Sequence, residues 1–181
     1  NNQVQIPVTI QIAQRHGARG GGAQGLSAVG KYAGPIIEED SVGLIGRRAV
    51  LAHGVHLDEG EFERCHATGT ALAHCPTSNL FLGSGLFPMR TARDPRRPIH
   101  VGLGTDIGAG TSFSLLATMS EAYKVAQLLS RPIDAIEAFF LATLGGARAL
   151  ALDDCVGTLA PGREADMVVL DACATPAMAH R

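Results

Sequence analysis

Three short apolar runs in the middle of the sequence constrain its fold most strongly. Residues 48–53 (RAVLAH), 70–75 (TALAHC) and 99–105 (IHVGLGT) are almost unbroken apolar stretches, as expected for strands buried on both faces of a parallel sheet. Residues 58–68 begin with acidic side chains and are followed by Gly69, which indicates a helix between the first two strands. Strands that alternate with crossover segments are typical of the βα repeat, so the sequence predicts an α/β fold.

The segments on either side of these runs are less regular. Apolar residues near helical spacing predict helices over residues 112–130 and 132–152. Residues 157–171 indicate a turn followed by a strand, which we interpret as the start of a small separate β layer. At the other end, polar and apolar residues alternate over 3–14, which predicts a strand, and the glycines of 17–34 predict a linker.

Composition excludes several classes of function. The 15 Lys and Arg residues against 17 Asp and Glu give a net charge of −2, so there is no basic field for nucleic-acid binding. No apolar stretch approaches the roughly 20 residues of a membrane-spanning helix. The four cysteines are scattered without a C-x-x-C pair, which favours free thiols in a reducing cytosol. We therefore expect a cytoplasmic chain of about one domain, with neither nucleic acid nor membrane as partner.

Polar side chains follow each of the three predicted strands. His53, His74 and Asp106 stand at the carboxyl ends of the apolar runs, and in a parallel sheet these ends converge on the face where ligands bind. A histidine and a carboxylate brought together there suit a divalent transition metal, or a metal-bound water and its proton acceptor. Polar residues at strand ends are also often satisfied within the protein. The cluster therefore indicates a site without naming a reaction.

The segments after the strands add polar groups to this predicted site. Residues 76–79 (PTSN) supply hydroxyl and amide groups, and residues 108–112 (GAGTS) offer backbone N–H groups that a ligand could approach closely. Such a rim could recognise the edge of a flat polar heterocycle. Ordinary turn chemistry, with Ser112 capping the next helix, explains the second segment equally well.

Longer stretches of the sequence resemble a known family. These stretches are 51–61 (LAHGVHLDEGE), 70–87 (TALAHCPTSNLFLGSGLF), 101–127, 141–154 and 157–171. They are similar to the guanine deaminases, which are metal-dependent hydrolases of the amidohydrolase superfamily. The resemblance runs from roughly residue 43 to residue 176, about three quarters of the chain. It implies a (β/α)8 barrel flanked by a small β-sandwich.

The resemblance also implies a division of the chain. Residues 43–154 would form part of the (β/α)8 barrel, and residues 155–181 would begin the β-sandwich segment, while residues 1–42 are poorly defined. A closed (β/α)8 barrel usually takes about 250 residues. With 181 residues, we expect only the C-terminal half of the barrel plus part of the sandwich, as in a fragment of a longer enzyme.

Residue roles follow from the resemblance position by position. His53 matches the histidine after the sixth barrel strand, which orients the hydrolytic water and the substrate. Asp106 matches the aspartate after the eighth strand, which binds zinc and shuttles a proton, so it is the implied metal ligand. Both are the implied catalytic residues. The implied substrate contacts are His53, His74, Thr77, Ser78 and Asn79.

The implied reaction is hydrolytic. A water activated by one zinc ion per complete active site attacks C2 of guanine, ammonia leaves and xanthine results. Zinc would supply a nucleophile at neutral pH by lowering the pKa of its water towards about 7. The full-length enzyme would be a cytoplasmic homodimer that acts on a small purine.

The sequence departs from the family at the remaining zinc ligands. The H-x-H pair of the first barrel strand is absent, and the family's fifth-strand histidine and glutamate align with Gln11 and Gln14. Glutamine is a poor zinc ligand and cannot donate and recover a proton. We therefore expect the chain alone to bind zinc weakly and to turn over negligibly. Two other interpretations stay open, namely another amidohydrolase deaminase of a related purine or pyrimidine, or a non-catalytic remnant that binds a purine or a partner subunit.

Overall fold

A parallel sheet forms the centre of the computed structural model, which describes residues 9–11 and 45–171. Within these residues the sheet has four strands in the order of the chain, each parallel to the next. The strands are β1 (Thr9–Gln11), β2 (Val50–Ala52), β3 (Ala71–His74) and β4 (Val101–Leu103). The three apolar runs thus form neighbouring strands, each shorter than its run. The predicted α/β fold with a parallel sheet is confirmed.

Helices follow the strands and cover the sheet. They are α1 (Glu59–Thr68), α2 (Pro76–Phe81), α3 (Met89–Ala92), α4 (Leu115–Leu128), α5 (Ala135–Ala142) and α6 (Leu144–Ala149). The predicted helix over 58–68 is α1, which Asp58 caps in a reciprocal capping box with Glu61. It ends at Gly69, whose φ of 73° is accessible to glycine at little cost. Local sequence therefore fixes both ends of α1.

The single helix predicted over 132–152 is divided in two. Thr143 separates α5 from α6 with φ −124° and ψ −101°, well outside the helical region. The division places α6 directly on β4, because a Cβ added to Gly102 would lie 2.9 Å from the Cα of Gly146. Gly145 and Gly146 lower helix propensity at this point as well. The prediction of one continuous helix is wrong because close packing on the sheet overrides the apolar spacing.

The core lies between the sheet and its helices. Leu51 of β2, Leu72 of β3 and Val101 of β4 pack in one cluster with Phe62 of α1 and Leu141 of α5, all nearly inaccessible to solvent. Truncating a buried leucine to alanine typically costs about 2–5 kcal/mol. This cluster therefore holds the strands in place and, with them, the residues at their carboxyl ends.

The segment after α6 does not form the predicted strand. A turn is present at Pro161 and Gly162, but residues 164–171 have no strand structure. The side chains of Val168 and Val169 are 85% and 89% exposed. A strand needs a neighbour to pair its backbone groups, and the described part of the chain offers none to this segment.

Other sequence predictions fall outside the described residues. The glycine-rich linker over 17–34 and both ends of the strand predicted over 3–14 lie there. The predicted division at residues 42/43 and 154/155 stays a prediction. Among residues 9–11 and 45–171, no helix has the length and apolarity needed to cross a membrane.

Candidate active site

His53 and Asp106 meet at the carboxyl end of the sheet. His53 directly follows β2, and Asp106 follows β4 after two further residues. The His53 Nε2 atom lies 3.7 Å from Oδ2 of Asp106, with the histidine buried and the aspartate side chain 24% exposed. This separation is too long for a direct hydrogen bond. The structure therefore brings together the two residues expected to be catalytic and leaves a narrow gap between their polar atoms.

Both residues have left-handed backbone conformations. His53 has φ 71° and Asp106 has φ 47°, and they account for two of the four non-glycine residues with positive φ within residues 45–171. Such conformations cost about 1–3 kcal/mol each and persist only where surrounding contacts enforce them. Here the His53 N–H donates to the carbonyl of Ala73 at 2.9 Å, and the Asp106 carbonyl accepts from two N–H groups of the following turn. These hydrogen bonds hold the strained backbone of His53 and Asp106 at the ends of β2 and β4.

The first turn of α2 carries three of the predicted substrate contacts. Residues 76–79 begin a helix, because Pro76 occupies the first position of α2, where its fixed φ suits a helix start. Thr77, Ser78 and Asn79 are all buried. Their polar atoms are therefore placed by the helix.

These three side chains bond within the protein. The Thr77 hydroxyl donates to the carbonyl of Thr105 at 3.2 Å, and the Ser78 hydroxyl donates to the carbonyl of Cys75 at 3.2 Å. The amide oxygen of Asn79 lies 2.8 Å from Nδ1 of His53. Thr77 and Asn79 thus reach the two strand ends that carry the candidate catalytic pair. Direct contact of these residues with substrate stays a prediction.

His74 faces a different environment. Its ring stacks on Phe87 with centroids 4.7 Å apart and planes 19° from parallel. Complete burial lowers the pKa of His74 to about 3, so the ring is neutral at physiological pH. The ring borders a cavity of about 180 Å³ whose lining includes residues of α3 and α4 but neither His53 nor Asp106. The candidate pair thus does not line the cavity beside His74, and contact of His74 with substrate stays a prediction.

The turn after Asp106 is closed. The N–H groups of Ala109 and Gly110 both donate to the carbonyl of Asp106, so the prediction that the backbone N–H groups of this segment are free for a ligand is wrong for these two. Ser112 does not cap α4, because Ser114 is the N-cap and accepts from the N–H of Ala117. The turn holds Asp106 in its left-handed conformation.

Cys75 and Gly110 are site neighbours to which the sequence patterns assign no individual role. Burial, together with the negative charge of Asp106, raises the pKa of the Cys75 thiol to about 11, so it stays protonated and unreactive at neutral pH. A Cβ added to Gly110 would clash with the carbonyl oxygen of Thr105. In the sequence, Cys75 is the last residue of the apolar run 70–75, and Gly110 lies within the 108–112 segment after Asp106.

The described residues fit a zinc ion only in part. Oδ2 of Asp106 is a buried acceptor without a hydrogen-bond partner in the described part of the chain, which suits an oxygen that binds a cation. Within residues 9–11 and 45–171, no three His, Cys, Asp or Glu side chains converge as a metal site. Catalytic zinc usually takes three protein ligands. These residues therefore offer one ligand and do not form a zinc site by themselves.

Sequence comparison identifies the family. A sequence model of the Amidohydrolase family matches residues 4–180. The chain is 54% identical over 134 residues to guanine deaminase of Escherichia coli, covering 74% of this chain and 30% of that protein. It is 46% identical over 134 residues to a probable guanine deaminase of Deinococcus radiodurans, covering 72% of this chain and 30% of the relative.

Structural comparison agrees with the sequence match. The Escherichia coli guanine deaminase structure superposes with a TM-score of 0.71 over 75% of this chain and 31% of that chain. An adenosine deaminase from Xanthomonas campestris with bound zinc is 31% identical, with a TM-score of 0.62 over 68% of this chain and 29% of the other. The chain thus spans about 30% of the length of the relatives it matches. The match over residues 4–180 shows that the chain belongs to the amidohydrolase family.

Proposed function

We propose that this chain contributes the C-terminal part of the active site of a guanine deaminase. The enzyme would hydrolyse guanine at C2 and release xanthine and ammonia. The observation that carries the proposal is the His53–Asp106 pair, whose Nε2 and Oδ2 atoms are 3.7 Å apart at the carboxyl end of a parallel sheet. The 54% identity to guanine deaminase of Escherichia coli supports guanine as the substrate.

Each residue of the pair has a distinct role in this proposal. The carboxylate of Asp106 accepts a proton from the water molecule that attacks C2. His53 holds that water, or the purine edge, through its Nε2 atom. Asp106 would also be one ligand of zinc, which makes water a better nucleophile at neutral pH when it is bound.

Departure of ammonia requires a proton donor that this chain does not supply in the expected way. The aligned general-acid position is Gln14, and an amide side chain does not release a proton at neutral pH. The aligned third ligand is Gln11, which ends β1 opposite Ala52, the residue before His53. These two glutamines favour the second candidate function, a non-catalytic remnant that binds a purine or a partner subunit.

The alternative within the same class of enzyme is another amidohydrolase deaminase that acts on a related purine or pyrimidine. The 31% identity to an adenosine deaminase with bound zinc favours it. Since zinc is bound in that relative, we also propose zinc as the metal of the complete site.

Location and assembly follow from surface and thiol chemistry. Cys65, Cys75 and Cys155 are free thiols, which favours a reducing compartment, and we propose a cytoplasmic enzyme.

Apolar side chains on α4, α5 and the turn before α4 are exposed, among them Phe113 at 82% and Ile136 at 78%. They are available for the homodimer interface that we propose for the complete enzyme.

A chimeric enzyme tests the proposal. Residues 45–171 of this chain would replace the aligned segment of the Escherichia coli guanine deaminase, whose remaining part would supply the first-strand ligands and the general acid that the family resemblance implies. We expect the purified, zinc-loaded chimera to convert guanine to xanthine with release of ammonia, and to leave adenine and cytosine unchanged. Ammonia release from adenine or cytosine would favour the related deaminase. Purine binding without ammonia release would favour the non-catalytic remnant.

A further inference from the structure

Asn79 is fixed in place by its own backbone. Its N–H donates to the carbonyl of Cys75 at 3.0 Å, and its carbonyl accepts from the N–H of Ser84 at 2.8 Å. The side chain is buried, with only 1% of the residue exposed. These two bonds hold the backbone of Asn79 beside His53, and burial confines the side chain to the protein interior.

The atom that Asn79 presents to His53 determines which ring nitrogen carries the proton. Oδ1 of Asn79 lies 2.8 Å from Nδ1 of His53, and an amide oxygen can only accept a hydrogen bond. The contact therefore requires a proton on Nδ1. In a neutral imidazole, Nε2 then has a lone pair and no proton.

The opposite side of the ring agrees with this assignment. Nε2 faces Oδ2 of Asp106 across 3.7 Å, and that oxygen has no hydrogen-bond partner among the residues described. A proton on Nε2 would favour a shorter, direct hydrogen bond to the carboxylate. Nε2 of His53 and Oδ2 of Asp106 are then two acceptor atoms that face each other. A hydrogen-bond donor such as water, or a cation, would fit between them.

We propose that Asn79 is a positioning residue that holds His53 in the Nδ1–H tautomer. Asn79 then acts on the reaction through His53. The Nε2 atom is left as an acceptor towards the gap, where it takes a hydrogen bond from water or from an N–H group of the purine. The role of Asn79 in the reaction rests on the proposed function, whereas the contact between Asn79 and His53 is a feature of the described residues themselves.

Nitrogen NMR of the 181-residue chain tests the assignment without any turnover. Two-bond ¹H–¹⁵N correlation spectra at pH 8.5, where an ordinary imidazole is neutral, report which ring nitrogen is protonated. We expect the wild-type His53 to carry its proton on Nδ1. Asn79→Leu removes the acceptor and should shift the population towards Nε2–H. Asn79→Asp keeps an acceptor oxygen and should retain Nδ1–H.

Thr77→Val provides the matched control. It removes a hydrogen bond from the same turn of α2, but that bond goes to Thr105 and not to His53. The His53 tautomer should therefore stay unchanged. A wild-type proton on Nε2 would overturn the inference, as would an Asn79→Leu variant that keeps Nδ1–H. If Asn79→Leu does not fold, the wild-type spectrum and Asn79→Asp decide the matter.

The failure of this inference is distinguishable from the failure of the proposed function. A chimera that does not deaminate guanine, together with a wild-type Nδ1–H signal, would remove the proposed function and keep the role of Asn79. An active chimera with a wild-type Nε2–H signal would do the reverse.

Discussion

Thr77 donates a hydrogen bond to the carbonyl oxygen of Thr105, the residue that precedes Asp106, at 3.2 Å. The bond joins the first turn of α2 to the short segment between β4 and Asp106. It restrains the chain where it enters the left-handed conformation of Asp106. Thr77 thereby acts at a strand end, and its contact with substrate stays a prediction.

Removing this hydroxyl should lower stability by a modest amount. Thr77→Val keeps the shape of the side chain but leaves the carbonyl of Thr105 without this donor, at a cost of about 1–3 kcal/mol. Thr77→Ser keeps the donor and should lose less. Urea unfolding at equilibrium measures both variants. Equal stability of Thr77→Val and wild type would show that the bond contributes nothing.

Gly110 should not tolerate a larger side chain. In Gly110→Ala the new Cβ would clash with the carbonyl oxygen of Thr105, and this neighbour is a backbone atom. The turn must shift, so we expect a loss of about 1–3 kcal/mol and altered amide shifts around Asp106.

Gly60 of α1 is the control for this substitution. Its Cβ would come no closer than 3.4 Å to another atom, the carboxylate of Asp58. Gly60→Ala should therefore stabilise the chain by up to about 1 kcal/mol through helix propensity. A Gly110→Ala variant as stable as wild type would contradict the closed turn after Asp106.

The buried His74 should make the fold sensitive to acid. Its folded pKa is lowered to about 3, while an unfolded histidine has a pKa of about 6.5. The unfolded chain therefore binds more protons between these values, so stability is full above about pH 6.5 and falls as the pH is lowered. The loss from this residue alone is about 2 kcal/mol between pH 6.5 and pH 5.

His74→Leu separates this effect from those of the other acids and bases. The variant keeps an apolar contact with Phe87 but has no titrating group at this position. The pH dependence of its unfolding free energy should be shallower than that of the wild type between pH 5 and pH 6.5. If the unfolding free energies of wild type and His74→Leu depended on pH equally, His74 would not be neutral in the folded protein.

Zinc binding by the chain alone should be weak. Asp106 offers one carboxylate ligand, and the residues described form no set of three His, Cys, Asp or Glu groups around it. We expect far less than one zinc ion per chain after dialysis, measured by atomic emission, and no conversion of guanine. One zinc ion per chain together with loss of guanine above background would contradict this expectation.

The strand ends were predictable from the sequence because their cause is local. An apolar run that stops at His53 or just before Asp106 indicates where a buried strand meets solvent, and parallel strands bring such ends together. The two ends of α1 were predictable for the same reason, since Asp58 acts on the first turn of the helix and Gly69 on its last turn.

The contacts that organise the site were not predictable, because they depend on packing between distant segments. The PTSN segment after His74 is typical of a turn, yet it begins α2, and only the folded chain shows that Asn79 reaches His53. The break at Thr143 depends on how closely Gly146 approaches Gly102. The strand expected after Gly162 had an apolar pattern but no partner in the described residues.

Replacing Asp106 in the chimera tests most directly whether its carboxylate accepts the proton of the attacking water. In Asp106→Asn the side chain keeps its shape but loses both its negative charge and its ability to accept a proton at neutral pH. We predict that the rate of xanthine formation from guanine falls at least about 100-fold, as is typical when a general base is removed, with little change in the melting temperature. A folded Asp106→Asn chimera that deaminates guanine at the parental rate would contradict the account.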